Sequence, residues 1–245
     1  GSVLAIYERE RRILLWDYVT GQTRTLFEEA EDEWMCILSP GLASVHANDT
    51  LSVWSLPKGA LRYSIPHDNV ASWQFSAQEN RLAVCHGQRE GFSVYEDGNL
   101  LYRQLFQGDA RSMPDIKLDH NGTHVFVLES SRNFWVYCVE SQTLLVRFSF
   151  IQQLVVVPHP KRSACLIHTR INRDRGEPSV RLFDAERPKE MQMSRTTYHI
   201  ASVIVSGDGS TVAVEEWREN AGHTHAAHIR PLLALGTEEV EAFRV

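Results

Sequence analysis

No stretch of this sequence is apolar for long enough to cross a bilayer. A spanning helix needs roughly 20 consecutive apolar residues, whereas runs such as residues 154–157 have only the length of a short strand. Basic charge is not in excess either: 31 Asp and Glu face 25 Lys and Arg, for a net charge of -6. Binding to nucleic acid needs a cationic footprint for the phosphates, so neither a nucleic acid nor a membrane is expected as a partner. Cysteine is scarce, with Cys36, Cys85, Cys138 and Cys165 and no Cys-x-x-Cys pair among them. Each sits in an apolar stretch, where a free thiol behaves as a small buried hydrophobe. That usage favours a reducing compartment and a cytoplasmic location. Two glycosylation sequons, beginning at Asn48 and Asn121, pull the other way. Both fall where hairpin turns are expected, and turn chemistry alone selects Asn, Asp and Gly there.

Catalytic templates are missing as well. There is no Gly-x-Ser-x-Gly elbow, no P-loop and no His-Glu-x-x-His. The Gly-rich Ser206-Gly207-Asp208-Gly209 joins two strands and so presents no helix N-terminus to a phosphate. The carboxylates of Glu215-Glu216 and of Glu238-Glu239 would point to opposite faces of a strand. The densest histidine motif, His223-Thr224-His225-Ala226-Ala227-His228, has no fourth ligand close by and reads as a solvated loop rather than a zinc site. His159, between two prolines, reads as part of a rigid turn. No enzymatic activity, metal or cofactor is therefore expected of this chain.

What the sequence does have is a repeat. An apolar-aromatic strand, a turn and a second strand recur, and aligning the aromatics gives Trp16, Trp54, Tyr95, Tyr137 and Phe183, with Leu233 in sixth place. The intervals are 38, 41, 42, 46 and 50 residues, close at first to the roughly 40 to 45 residues of a four-stranded propeller blade. Two further apolar strands precede each hairpin, as at 72–75 with 81–86 and at 115–118 with 124–129, separated by turn residues such as Asn121-Gly122. Short strands with turn signals every few residues and no helical period predict an all-β fold.

The motif Leu15-Trp16-Asp17-Tyr18-Val19-Thr20-Gly21 resembles the signature of the WD40 repeat family. Val53-Trp54-Ser55 and Leu182-Phe183-Asp184 are looser copies. The resemblance covers nearly the whole chain as pattern, but the family's Gly-His dipeptide is missing from every unit, and with it the family's hydrogen-bonded His-Ser/Thr-Trp-Asp network. It implies a β-propeller of four-stranded antiparallel blades near 3–27, 34–65, 70–106, 115–150, 154–193 and 200–245. Five of these are expected to be complete, the last ending in a strand at 239–243. The first would lack its innermost strand, as part of a larger ring whose remainder lies outside the 245 residues. Gly1-Ser2 reads as a cleavage scar, which fits that expectation.

A propeller of this kind implies a non-catalytic scaffold that binds a partner protein, or another domain of its own chain, through its loops. The alternative is an accessory propeller gating an enzyme domain outside this chain. Degenerate units without Gly-His are also similar to the WD-repeat regions of NACHT-type signalling ATPases. Loops on rigid scaffolds carry binding more often than strands do, and Arg is enriched at interface anchors. The candidate binding residues are therefore Arg170, Arg173 and Arg175 in the longest polar insertion. The others lie in connections that the family places on its ligand-favoured face: Trp34, His67, Asp68, Asp109, Arg111 and His199. For His199 a structural role is the stronger reading.

Overall fold

Alternating apolar residues bounded by Gly, Asn and Asp form antiparallel strands throughout the chain. The computed structural model describes residues 3–8, 12–28, 35–39, 41–56, 58–67, 69–76, 78–87, 90–106, 114–129, 133–149, 153–170, 179–187, 191–195, 199–217, 225–231 and 237–238. The strands fall into six sheets in chain order. The first sheet holds β1 (Val3–Glu8), β2 (Arg12–Asp17) and β3 (Thr23–Glu28). The second holds β4 (Met35–Leu38), β5 (Leu42–Ala47), β6 (Thr50–Ser55) and β7 (Ala60–Pro66). The third holds β8 (Val70–Phe75), β9 (Arg81–His86), β10 (Gly91–Glu96) and β11 (Asn99–Leu105), and the fourth β12 (Asp115–Leu118), β13 (His124–Glu129), β14 (Asn133–Cys138) and β15 (Thr143–Ser149). The fifth holds β16 (Gln153–Pro158), β17 (Ala164–Arg170), β18 (Ser179–Asp184) and β19 (Met191–Arg195), with β23 (Thr237–Glu238) added outside β19. The sixth holds β20 (His199–Val205), β21 (Thr211–Trp217) and β22 (His225–Pro231). Consecutive strands pair as neighbours in every sheet, the arrangement of propeller blades.

Burial follows strand position within a sheet. In the third, fourth and fifth sheets the second and third strands are buried almost without a break, as in β9, β10 and β14, whereas the outer strands β11 and β15 are exposed along most of their length. A strand covered on one face would alternate; one covered on both reads as a continuous apolar run. The middle strands of these sheets are of the second kind. The chain divides into two compact units, residues 1–70 with 95–100, and residues 71–94 with 101–245.

In the first unit, Ile13, Leu15, Leu42, Val45, Leu51 and Val53 form the interior. Phe27 packs on Trp54, with ring centroids 5.6 Å apart. Arg62 of β7 donates to the Asp97 carboxylate at 2.6 Å. The turn expected at Asn48 joins Ala47 to Thr50, with Asn48 and Asp49 both at positive φ as a tight two-residue hairpin requires.

In the second unit three apolar clusters lie between successive sheets. Phe92, Tyr102, Trp135 and Tyr137 join the third sheet to the fourth. Phe126, Phe134, Cys165, Ile167 and Phe183 join the fourth to the fifth, and Leu166, Val180, Val203 and Val212 join the fifth to the sixth. Phe183 is the hub of the second cluster. Its ring lies 5.5 Å from Phe134, 5.9 Å from Phe148 and 6.4 Å from Phe126, each edge-on. Edge-to-face pairs place the positive rim of one ring on the negative face of another. The register shifts in the second and fourth sheets fall at the repeat aromatics, Trp54 and Tyr137, whereas in the first sheet the shift falls between Ile13 and Leu14.

Several expectations need correction. Four sheets have at least four strands and the first and last have three among the described residues; the strand expected at 239–243 lies outside them. The sixth repeat begins earlier than the aromatic alignment puts it. Its third strand is β22, so Leu233 falls past its end. His225 and His228 thereby belong to a strand, not to a solvated loop, while His223 lies outside the described residues. The four cysteines are free thiols, but only Cys85 and Cys165 are buried; Cys36 and Cys138 are partly exposed.

Replacing Phe183 by Ala removes a fully buried ring that three others contact. Phe183→Ala should cost about 3 to 5 kcal/mol of unfolding free energy, read as a fall in denaturation midpoint, with Val19→Ala at an exposed turn as the neutral control.

Candidate functional site

Four turns of the second unit connect a first strand to a second: residues 76–80, 119–123, 159–163 and 206–210. Each closes in the same way. The residue after the first strand donates its N–H to the carbonyl that opens the second: Ser76 to Arg81 at 2.9 Å, Asp119 to His124 at 3.0 Å, His159 to Ala164 at 2.8 Å and Ser206 to Thr211 at 3.0 Å. Every turn then reaches the next. Gln78 donates its backbone N–H to the His120 carbonyl at 3.1 Å, and its side-chain nitrogen lies 2.9 Å from His120 Nε2. The Arg81 guanidinium donates to the Gly122 carbonyl at 3.1 Å. Ser163 hydrogen-bonds the Asp119 carboxylate, and His159 Nε2 meets the Gly209 carbonyl at 3.1 Å.

Asp119 is fully buried, and its carboxylate is matched group for group. Oδ1 accepts from the His124 backbone N–H at 3.0 Å, and Oδ2 accepts from Thr123 Oγ1 at 2.9 Å and meets His124 Nδ1 at 3.0 Å. Burial alone pushes the carboxyl up, but hydrogen bonds from His124, Ser163 and Thr123 outweigh it and hold Asp119 below its ordinary 3.8. His159, 2% exposed, is held as one neutral tautomer. A carbonyl only accepts, so Nε2 carries the proton donated to Gly209, while Nδ1 accepts from the Lys161 backbone N–H at 3.1 Å. Desolvation lowers the His159 pKa below 6.5, against the pull of the Gly209 carbonyl. Gly209 sits at φ +73°, and a Cβ there would run into the His159 ring, so the close approach requires glycine. Sequence reasoning missed this network. A turn of Asp, Asn, Gly and Thr is adequately explained by its own chemistry, and the partner of Asp119 in the next sheet is 44 residues away at Ser163.

The linked turns leave the other ends of these strands as the second edge of the unit. Six or seven residues at about 3.3 Å each separate the two edges by about 20 Å. Arg170 ends β17 there, opposite Gln153, and His199 opens β20 opposite Trp217. The structure thus brings Arg170 and His199 to one edge of the second unit. Trp34, Asp68, Asp109, Arg111, Arg173 and Arg175 lie outside the described residues. His67, in the first unit, is half-buried just after β7. Its N–H donates to the Asp49 carbonyl at 2.8 Å, its own carbonyl accepts from His46 Nε2 at 2.9 Å, and its Nδ1 faces the Asn69 N–H at 3.4 Å. His46, which the sequence did not single out, therefore anchors the connection that carries His67.

Further polar groups are buried, His86 and Ser93 among them. His86 Nε2 lies 2.8 Å from Ser93 Oγ on the neighbouring strand. Burial pushes the Cys85 thiol up to about 11 and the Cys165 thiol well above its ordinary value, which keeps both in the unreactive form at neutral pH. Among the described residues no three or more His, Cys, Asp or Glu are grouped so as to hold a metal ion.

No family model matches this sequence. No curated protein matches it either. Solved structures do. A structure titled crystal structure of the eukaryotic initiation factor superposes with a TM-score of 0.62 at 13% identity, over 94% of this chain and 61% of that one. The chain thus spans about three-fifths of that protein's length. At this identity the likeness is one of fold, and because 1340 solved chains match, the fold selects no single function.

The His159 geometry predicts an acid-sensitive link between the fifth and sixth sheets. Protonation is easier in the unfolded chain than in the folded one, because the folded pKa is depressed. The stability held by neutral His159 is therefore whole above pH 6.5 and is lost as the pH falls from there through the lower folded value. Thermal melts of the wild type should be flat from pH 8 to 6.5 and decline below it, and His159→Gln should remove most of the decline between pH 6.5 and 5. An identical decline in both proteins would assign the effect to other groups.

Proposed function

We propose that this chain is a β-propeller of degenerate WD40 type that acts in the cytoplasm as a non-catalytic interaction scaffold. Its ligand is a partner protein, or another domain of the same polypeptide such as the nucleotide-binding region of a NACHT-type protein. The succession of antiparallel sheets with the strand order of blades, together with the fold-level likeness to solved structures, supports the propeller reading.

One observation carries the choice of surface. On one edge of the second unit the turns between first and second strands are consumed in hydrogen bonds to each other. Polar groups so occupied have little left for a ligand. Arg170 and His199 stand at the opposite edge, and the Arg173 and Arg175 segment follows Arg170 in sequence, which supports an interaction surface there. Arginines on such connections suit acidic or carboxylate-bearing groups of a partner, which a guanidinium grips with paired hydrogen bonds.

The test is affinity capture with the full-length protein against a version whose residues 170–175 are replaced by Gly and Ser, matched for melting temperature. The replacement should reduce recovery of the specific partner at least tenfold. An unchanged partner set would move the surface off this connection, and the absence of any protein partner would favour the accessory-propeller reading.

A further inference from the structure

The outer strand of a sheet presents a row of N–H and C=O groups that its own sheet does not use, a template for another strand. Among the described residues, no strand pairs with the outer side of β7, β11 or β15. On β19 one does. β23 lies antiparallel to it, with Thr237 opposite Gln192 and Glu238 opposite Met191. The place it covers is a repeated one. Met191 stands opposite Phe183, as Leu61 stands opposite Trp54 and Leu144 opposite Tyr137. At those two open edges the leucines are 56% and 48% exposed. The outer edge at this position is thus apolar in the second, fourth and fifth sheets, with Thr23 in its place opposite Trp16 in the first, and in the fifth sheet a segment of the chain is already seated on it.

We propose that the β19 edge is a strand-addition site for the segment at Thr237–Glu238, and that this segment docks there from a second copy of the chain as well as from its own, pairing two copies by strand exchange. The backbone bonds of an added antiparallel strand do not depend on which copy supplies it. Residues 232–236 separate β22 from β23, a link of five residues. Short links between an exchangeable element and its body invite exchange. Closure within one copy keeps the advantage of effective concentration, in the millimolar range for short links, so exchange should grow with protein concentration. This inference does not rest on the scaffold reading: its site is a sheet edge, its partner is the same chain, and its failure would leave that reading untouched.

The experiment is sedimentation velocity on the full chain from about 1 μM to about 1 mM, bracketing the effective concentration of a short link. The wild type should pass from monomer to dimer across this range. Thr237→Pro with Glu238→Pro removes both strand N–H donors of the segment and should leave a monomer throughout. Inserting six Gly and Ser residues into 232–236 eases closure and should weaken dimerisation at least fivefold with β23 unchanged. A wild type that stays monomeric at the highest concentration overturns the proposal. So does a dimer that survives the two prolines. Should the proline variant lose its cooperative melt, the lengthened link decides: dimerisation unchanged by it also overturns the proposal.

Discussion

Every sheet with buried middle strands must be covered on both faces, and this requirement organises the second unit. A sheet with one wet face could stand alone once its other face was covered. The middle strands of the fourth sheet have no wet face: Phe126 and Phe134 pack toward the fifth sheet while Val125, Val127, Trp135 and Tyr137 of the same two strands pack toward the third. Neighbouring residues on one strand thus serve different interfaces. Stability is then a chain of sheet-to-sheet contacts, and losing one hub ring weakens two sheets at once.

Apolar packing fixes the faces but says little about how far one sheet slides along the next. The polar turns supply that constraint. Asp119, buried and held below its ordinary pKa, ties its own turn to His124 and Thr123 and reaches Ser163 in the next. His159 repeats the device one sheet further on, with a neutral ring between two backbone groups. A buried carboxylate left short of donors would be costly, so these bonds specify one register between sheets. This chain uses Asp, His, Thr and Ser on its turns for that purpose.

The strands were legible because their signal is local. Apolar alternation marked 81–86 and 124–129 to the residue, and Asn48-Asp49 marked its hairpin. The sixth repeat was not, since Ala226, Ala227 and His228 carry a weak apolar pattern and Leu233 offered a false match to the aromatic position. The Asp119 and His159 links were hidden for another reason: they join residues of different sheets, and a single sequence does not record which turn will meet which. Of the candidate binding residues, only the strand-end positions Arg170 and His199 and the well-bonded His67 gain a structural setting. Their choice came from loop length and charge, and neither quantity says what a loop touches.

The two edges of the second unit therefore differ in kind. Where short turns bond to their neighbours, a ligand would have to break the links that hold the sheets in register, and binding there would be paid for in stability. At the opposite edge the sequence of the connections can change without touching Asp119 or His159. A repeat fold separates its structural groups from its variable ones in this way, so the same core can serve many partners. The outer strands form a third surface with a different logic. They recognise by backbone pairing, which depends on an open edge and an apolar flank rather than on a particular side chain, and β23 on β19 is that recognition within a single chain.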